Sequence, residues 1–205
     1  YYYNIVGKYG VQVQAVLKKA ATLPIETIAP LHGPVWRSNL AYLLEKYDKW
    51  SRYEPEDNAV VMMYGSMYGD TENVVNVLAA SLAESDVKDI SVYDVSSTNV
   101  SYLIAEAFRC SHIVLAAPTY NAGLYPAMET VLRDMKALNL QNRVVAVIEN
   151  GSWAPSAGKQ MRSLLGEMKN MRVLEGSLTI QSSLKMEKLE ALSQLKDQIL
   201  DTLNQ

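Results

Sequence analysis

Small and hydroxyl-bearing residues follow a short apolar run near the middle of the chain. The run Ala59–Tyr64 leads into Gly65–Thr71, which reads Gly-Ser-Met-Tyr-Gly-Asp-Thr, and a helix-like stretch, Glu72–Glu84, comes next. The first turn of a helix carries unpaired backbone N–H groups and the positive end of the helix dipole. A strand–turn–helix junction of this kind can therefore bind a negatively charged group.

The composition of this turn narrows the kind of anion. It contains no Lys, so it is not the G-x-x-x-x-G-K-[ST] loop of nucleotide triphosphatases, and its glycines do not have the G-x-G-x-x-G spacing of dinucleotide-binding proteins. Hydroxyls and amides without a cation suit a small phosphate monoester, and the phosphate of FMN fits that description. Alone, the Ser-x-x-Gly-x-Thr pattern is weak, because an ordinary connection with Asp70 or Thr71 as N-cap explains it equally well.

Two later segments have the composition that a flat aromatic ligand needs. Ala117–Pro126 contains Tyr120, and Glu149–Gly158 contains Trp153, each among Gly, Asn and other residues that expose backbone amides. A ring can stack on the aromatic side chain while the amides bond its polar edge. We expect the flavin ring between these two segments, with Tyr120 or Trp153 nearest its faces. The candidate cofactor-binding residues are Ser66, Met67, Tyr68, Gly69, Asp70, Thr71, Pro118, Thr119, Tyr120, Asn121, Ala122, Gly123, Asn150, Gly151, Ser152 and Trp153.

Alternating strand and helix patterns from residue 59 onward would bring the three segments together. Apolar runs predict strands at Ala59–Tyr64, Ile90–Val95, His112–Ala117, Arg143–Ile148 and Arg172–Ile180. Helical periods predict helices at Thr71–Glu84, Asn99–Arg109, Pro126–Leu138, Gly158–Met168 and Met186–Leu203. Nearly continuous apolar strands are typical of a parallel sheet buried on both faces. The pattern predicts an α/β doubly wound sheet; in strand order 2-1-3-4-5 the three segments meet at one edge.

The residues before this domain predict two helices, Gln12–Ala20 and Ser38–Trp50, a strand at Pro24–Ala29, and a polar linker at Ser51–Asn58. Two helices and one strand cannot form a core of their own. We expect this part to be the end of a larger domain.

Composition excludes several function classes. The 205 residues carry a formal net charge of −3 without a basic block, which argues against nucleic-acid binding. No signal peptide or membrane span is predicted, and the single cysteine, Cys110, suits a reducing cytosol, so the expected location is cytoplasmic. His112 begins an apolar run and is interpreted as a core histidine. No Ser/His/Asp or Cys/His set is available.

The two motif blocks resemble a known family. Ser66–Thr71 followed by Pro118–Pro126 is similar to the flavodoxin-like domain of flavodiiron proteins, also called A-type flavoproteins. Tyr1–Asn4 and Ile28–Arg37, with its Pro-Leu-His-Gly-Pro segment, are similar to the end of that family's metallo-β-lactamase-like domain. The resemblance covers nearly the whole chain. It implies residues 1–52 as the end of the diiron domain, 53–58 as a linker, and 59–205 as a flavodoxin-like FMN-binding domain.

The resemblance also implies a function. Intact members pass electrons from FMN to a non-haem diiron centre and reduce O2 to water or NO to N2O. They take electrons from a redox donor such as a rubredoxin or a flavin reductase, and they form head-to-tail homodimers. In this chain His32 matches one iron ligand and the other ligands have no counterpart, so the diiron centre is expected only in the intact protein.

Two departures and two alternatives accompany this interpretation. Asp70 stands where the family usually has Asn and is expected to turn away and cap the helix; Asn150-Gly-Ser-Trp replaces the commoner Ser-Tyr-Gly-Trp. A free-standing NAD(P)H:quinone or FMN reductase of flavodoxin-like fold is one alternative, although it leaves the first 58 residues unexplained. A module without flavin, kept for dimerisation or partner docking, is the other.

Overall fold

The computed structural model describes all residues, 1–205, as a parallel sheet with helices on both faces. Its strands are β1 Asp57–Tyr64, β2 Ile90–Asp94, β3 Cys110–Tyr120, β4 Gly123–Leu124, β5 Val144–Asn150 and β6 Arg172–Ile180. Its α-helices are α1 Gly10–Ala20, α2 Leu40–Ser51, α3 Asp70–Glu84, α4 Val100–Arg109, α5 Pro126–Ala137, α6 Ala157–Gly166 and α7 Leu189–Leu203. Short π and 3-10 turns cover Tyr2–Val6, Gly7–Tyr9 and Met186–Lys188. None of the helices is long and apolar enough to span a membrane.

The order of the parallel strands is β2-β1-β3-β5-β6. Because β4 is only a two-residue strand that pairs antiparallel with the end of β3, this order is the predicted 2-1-3-4-5. The α/β fold with its parallel sheet is therefore confirmed. The hairpin that forms β4 was not predicted.

Alternation along the central strands divides the core into two layers. Val61 and Met63 of β1 face a cluster formed with α4, α5 and α6, whereas Val60 and Met62 face a cluster formed with α3 and α7. Successive side chains of a strand point to opposite faces, so a strand covered on both sides has to be apolar throughout. This requirement explains the continuous apolar runs in the sequence.

The first 56 residues pack on the α4 side of the sheet. The ring of Tyr3 stacks on Phe108 with centroids 4.9 Å apart, and its hydroxyl donates to Glu56 at 2.8 Å.

The predicted strand at Pro24–Ala29 is wrong, since only an isolated bridge joins Ile28 to Trp36. Prolines at 24, 30 and 34 lack the N–H that a longer ladder would require.

Candidate functional site

One pocket lies at the carboxyl ends of β1, β3 and β5, where parallel α/β sheets bind ligands. Its volume is about 190 Å³. It is lined by Ser66, Met67, Tyr68, Asp70, Thr71, Pro118, Thr119, Asn150, Gly151, Ser152 and Ser182. All of these except Ser182 were predicted from the sequence. Residues from the three predicted segments therefore line one pocket.

The start of α3 opens onto this pocket. Gly69 is the residue before the helix and has a left-handed backbone, φ +90°, while Asp70 is the first helical residue. No side chain accepts a hydrogen bond from the first turn. The expectation that Asp70 or Thr71 caps the helix is thus wrong, because Gly69 occupies the N-cap position and places both residues inside the first turn. The N–H groups of that turn stay free for an anion.

The two hydroxyls of the turn are already oriented by the protein. Ser66 Oγ accepts a hydrogen bond from the backbone N–H of Gly69 at 3.0 Å. Thr71 Oγ1 accepts one from Nδ2 of Asn150 at 3.3 Å. Neither hydroxyl has a protein acceptor within hydrogen-bonding distance, so each keeps its own hydrogen for a ligand. A phosphate monoester, whose oxygens accept hydrogen bonds, fits this donor set.

The charge around the pocket is negative rather than positive. No Lys or Arg lines it, and Asp70 contributes a carboxylate. An anion bound here would depend on the dipole of α3, the free N–H groups and the two hydroxyls. Attraction by a basic side chain plays no part.

The hairpin between β3 and β4 holds the second segment. Asn121 and Ala122 have φ values of +48° and +56°, as both central residues of a type I′ turn must, and Tyr120 pairs with Gly123 across it. Tyr120, Asn121, Ala122 and Gly123 do not line the pocket. The Tyr120 ring is half exposed and meets Tyr125 edge-on, at 6.5 Å between centroids.

The third segment is fastened to the second. Thr119 Oγ1 accepts from the backbone N–H groups of Ser156 at 2.8 Å and Ala157 at 3.2 Å, which ties the end of β3 to the start of α6. Trp153 is 98% exposed and does not line the pocket. Its indole is therefore available to a ligand at the surface but has no fixed contact in the protein.

Ser182 is the residue of the site that sequence reasoning missed. It follows β6 and has a left-handed backbone, φ +63°. The hydroxyl-rich Gln-Ser-Ser sequence at 181–183 comes directly after a predicted strand, which was the available signal. Its contacts with Asn150, 32 residues earlier in the chain, are not visible in the sequence.

The residues present do not fit a diiron centre. His32 is exposed and its ring stacks on Tyr1 at 4.4 Å. No group of three or more His, Cys, Asp or Glu side chains is arranged to hold a metal ion.

His112, as interpreted, is a buried histidine whose ring nitrogens lie 2.8 Å from Ser111 Oγ and 3.0 Å from Thr202 Oγ1.

Solved structures of other proteins identify the fold class of the chain. No protein-family model matches the chain. The rubredoxin oxygen:oxidoreductase of Desulfovibrio gigas superposes with a TM-score of 0.89 at 23% identity, over 100% of this chain and 51% of that one. A flavodiiron protein variant of Thermotoga maritima gives a TM-score of 0.81 at 26% identity, over 97% of this chain and 50% of that one. The chain thus has the flavodoxin-like α/β fold.

The more particular resemblance is to one part of such proteins. The anaerobic nitric oxide reductase flavorubredoxin of Escherichia coli is 24% identical over 168 residues, which make up 80% of this chain and 35% of that protein. The chain spans about half the length, or less, of the curated relatives that it matches. The predicted resemblance to the C-terminal part of flavodiiron proteins is confirmed.

Proposed function

We propose that this chain is an FMN-binding electron-transfer module. The observation that carries the proposal is the pair of hydroxyls, Ser66 and Thr71, that accept hydrogen bonds from the protein and keep their hydrogens for the pocket. Together with the free N–H groups at the start of α3, these hydroxyls offer only hydrogen-bond donors to a ligand. A phosphate monoester, whose oxygens accept hydrogen bonds, matches this set of donors. The similarity to flavodiiron proteins supports FMN as its carrier.

In this proposal each part of the site has a separate task. Residues Ser66–Thr71 bind the phosphate, and the segments Pro118–Gly123 and Asn150–Trp153 enclose the ring. Tyr120 and Trp153 are exposed enough to stack on it without losing buried contacts. When bound, FMN supplies one- and two-electron transfer, while the protein fixes its position and surroundings.

The role of the whole protein follows by analogy with its relatives. We infer that the intact protein is a flavodiiron oxidoreductase in which electrons reach a non-haem diiron site and reduce O2 to water or NO to N2O. A rubredoxin-like protein or a flavin reductase would be the donor. Residues 1–52 would be the end of the diiron domain and 59–205 the FMN domain, with 53–58 between them. His32 would become an iron ligand, and the head-to-tail homodimer would form, in that intact protein.

A flavin titration tests the proposal. The chain, freed of any flavin, is titrated with FMN and with riboflavin, which lacks the phosphate, while flavin fluorescence is followed. We expect FMN to bind at least about 10-fold more tightly, since several charge-assisted hydrogen bonds are lost with the phosphate. Ser66→Ala and Thr71→Ala should each weaken FMN binding by about 1–3 kcal/mol and leave riboflavin unaffected.

Ser85→Ala is the matched control, because that hydroxyl lies exposed at the far end of α3 and bonds Ser81 within the helix. Unchanged FMN affinity in the Ser66→Ala, Thr71→Ala double variant would contradict the phosphate placement. A chain that binds no flavin at all would favour the interaction module. NADH oxidation without a partner protein would favour the free-standing reductase.

A further inference from the structure

Asn150 links the start of α3 to the loop after β6. Its Oδ1 accepts from the backbone N–H of Ser182 at 3.0 Å, and its Nδ2 donates to the backbone carbonyl of Ser182 at 3.1 Å and to Thr71 Oγ1 at 3.3 Å. Asn150 as a whole is 8% exposed. The amide therefore has its hydrogen bonds within the protein rather than with water.

Ser182 fixes which way this amide points. A backbone N–H can only donate and a backbone carbonyl can only accept. A flipped Asn150 would set NH2 against the N–H of Ser182 and oxygen against its carbonyl. Nδ2 must therefore face Thr71, and Thr71 Oγ1 must be the acceptor. Because Thr71 is 1% exposed and has no protein acceptor, its hydrogen is left for an occupant of the pocket.

We propose that Asn150 is a positioning residue that holds the Thr71 hydroxyl as a donor toward an acceptor-only anion, and that the Ser182 loop sets its orientation. The inference rests on the proposed phosphate site and adds to it a residue that acts through another. At neutral pH a phosphate monoester is largely dianionic and accepts hydrogen bonds without donating any. A threonine that turned its hydrogen toward a neighbouring acceptor would lose this contact.

A double-mutant cycle tests the proposal. Asn150→Ala, Thr71→Val and their combination are compared by the ratio of the riboflavin Kd to the FMN Kd. We expect Asn150→Ala to lower this ratio about 5-fold or more and Thr71→Val to lower it about 10-fold, within the range for charge-assisted hydrogen bonds. In the Thr71→Val background, Asn150→Ala should change the ratio less than about 2-fold, because the residue through which it acts is gone.

A second variant separates polarity from packing. Asn150→Asp keeps an acceptor for the Ser182 N–H but cannot donate to Thr71, so it should lower the ratio at least as much as Asn150→Ala. In the Thr71→Val background only the repulsion of its charge should remain, and added salt should weaken that repulsion. Asn76→Ala, which removes an exposed amide from the same helix, should leave the ratio unchanged.

The outcomes are distinguishable. Independent effects of Asn150→Ala and Thr71→Val, or an equal loss of FMN and riboflavin in Asn150→Ala, would overturn the positioning role while leaving the phosphate site in place. A wild-type chain that shows no preference for FMN over riboflavin would instead refute the proposed function and, with it, this inference.

Discussion

The ring of Tyr125 occupies the space where a side chain at Gly65 would lie. An ideal Cβ at Gly65 would lie well inside contact distance of Tyr125 Cδ1. The hydroxyl of Tyr125 lies 2.9 Å from Ser96 Oγ, so the ring is anchored at its far end as well. The turn Gly65–Thr71 after β1 and the start of α5 are therefore packed directly against each other.

This close approach predicts that Gly65→Ala weakens flavin binding. The methyl group must displace either the Tyr125 ring or the turn that begins at Ser66, because both ends of the ring are held. We expect FMN affinity to fall about 10-fold or more and unfolding to become easier by roughly 1–3 kcal/mol, the usual range for overpacking. Flavin titration and thermal unfolding measure the two effects.

Gly166→Ala is the control for Gly65→Ala, since a Cβ at Gly166 meets nothing within 4 Å. Adding Tyr125→Ala to the Gly65→Ala chain should restore part of the FMN affinity by removing the obstacle. If Gly65→Ala binds FMN as the wild type does, the packing of Tyr125 does not hold the turn Gly65–Thr71 in place.

Asp70→Asn should tighten FMN binding. Asp70 lines the pocket, which has no basic residue, so its carboxylate repels a phosphate placed at the start of α3. Replacing it with the isosteric amide should improve FMN affinity about 2- to 10-fold at low salt, and the gain should shrink as ionic strength rises. Riboflavin serves as the internal control, because it has no phosphate to repel. Equal gains for both flavins would show that the effect is not electrostatic.

The sheet could be predicted from the sequence because burial on both faces makes its strands apolar without interruption. Ala59–Tyr64 and His112–Ala117 both fall within observed strands for this reason. The turn Gly65–Thr71, which we propose binds the phosphate, could be recognised for a related reason, since its composition and its place between a strand and a helix are local features of the sequence. Local chemistry and long apolar runs are what a single sequence displays most clearly.

The features that were missed or mistaken depend on contacts between distant residues or on backbone conformation. The hairpin at Asn121 and Ala122 needs two left-handed residues, and Ala122 gives no sign of adopting that conformation. The place of Ser182 in the pocket depends on its hydrogen bonds with the distant residue Asn150. Within the predicted strand at Pro24–Ala29, only Ile28 has a bridging partner, Trp36. Asp70 and Thr71 are expected as caps because Asp and Thr are among the residues preferred at the N-cap, yet the left-handed Gly69 occupies that position.

Arg143 should be required for the first 56 residues to stay packed on the sheet. The residue is 1% exposed, and its guanidinium donates only to backbone carbonyls, namely those of Tyr53, Ala107, Phe108, Gln141 and Asn142. Burial lowers the pKa of Arg143 to about 10, so it remains charged at neutral pH. Arg143→Met would leave these carbonyls without a donor, and we expect the free energy of unfolding to fall by more than about 3 kcal/mol.

Urea unfolding monitored by Trp and Tyr fluorescence measures this change. Arg133→Met is the control, because Arg133 forms an exposed pair with Glu129 one helical turn away and should contribute less than about 0.5 kcal/mol. Similar stabilities of the two variants would show that the carbonyls find other donors when Arg143 is absent.

His112 should make the protein less stable in mild acid. Burial and, to a smaller extent, the nearby charge of Arg172 lower the pKa of His112 to about 4, whereas an unfolded histidine titrates near 6.5. The folded state therefore keeps the ring neutral while the unfolded chain takes up a proton. Above about pH 6.5 the ring is neutral in both states, and the free energy of unfolding has its full value. As the pH falls from there toward 4, the free energy of unfolding decreases by up to about 1.4 kcal/mol per pH unit.

In His112→Gln this slope should be absent. Between pH 7.5 and 5.5 the wild type should therefore lose about 1 kcal/mol more stability than the variant, as measured by urea unfolding at each pH. Carboxylates whose pKa values are lowered, such as those of Asp89 and Glu56, titrate below this window in both proteins. Parallel pH profiles of the two proteins would mean that His112 is protonated equally in the folded and unfolded states.

The chain as it stands should bind FMN without a pair of irons and should not reduce O2 or NO at a useful rate by itself. A diiron site needs several His and carboxylate ligands around two metals, and His32 has no such neighbours, being exposed and stacked on Tyr1. After incubation with ferrous iron and desalting, we expect far fewer than about two irons per bound flavin. His32→Ala should have the same iron content as the wild type. An iron content of about two per chain that His32→Ala abolishes would show that these 205 residues assemble the centre themselves.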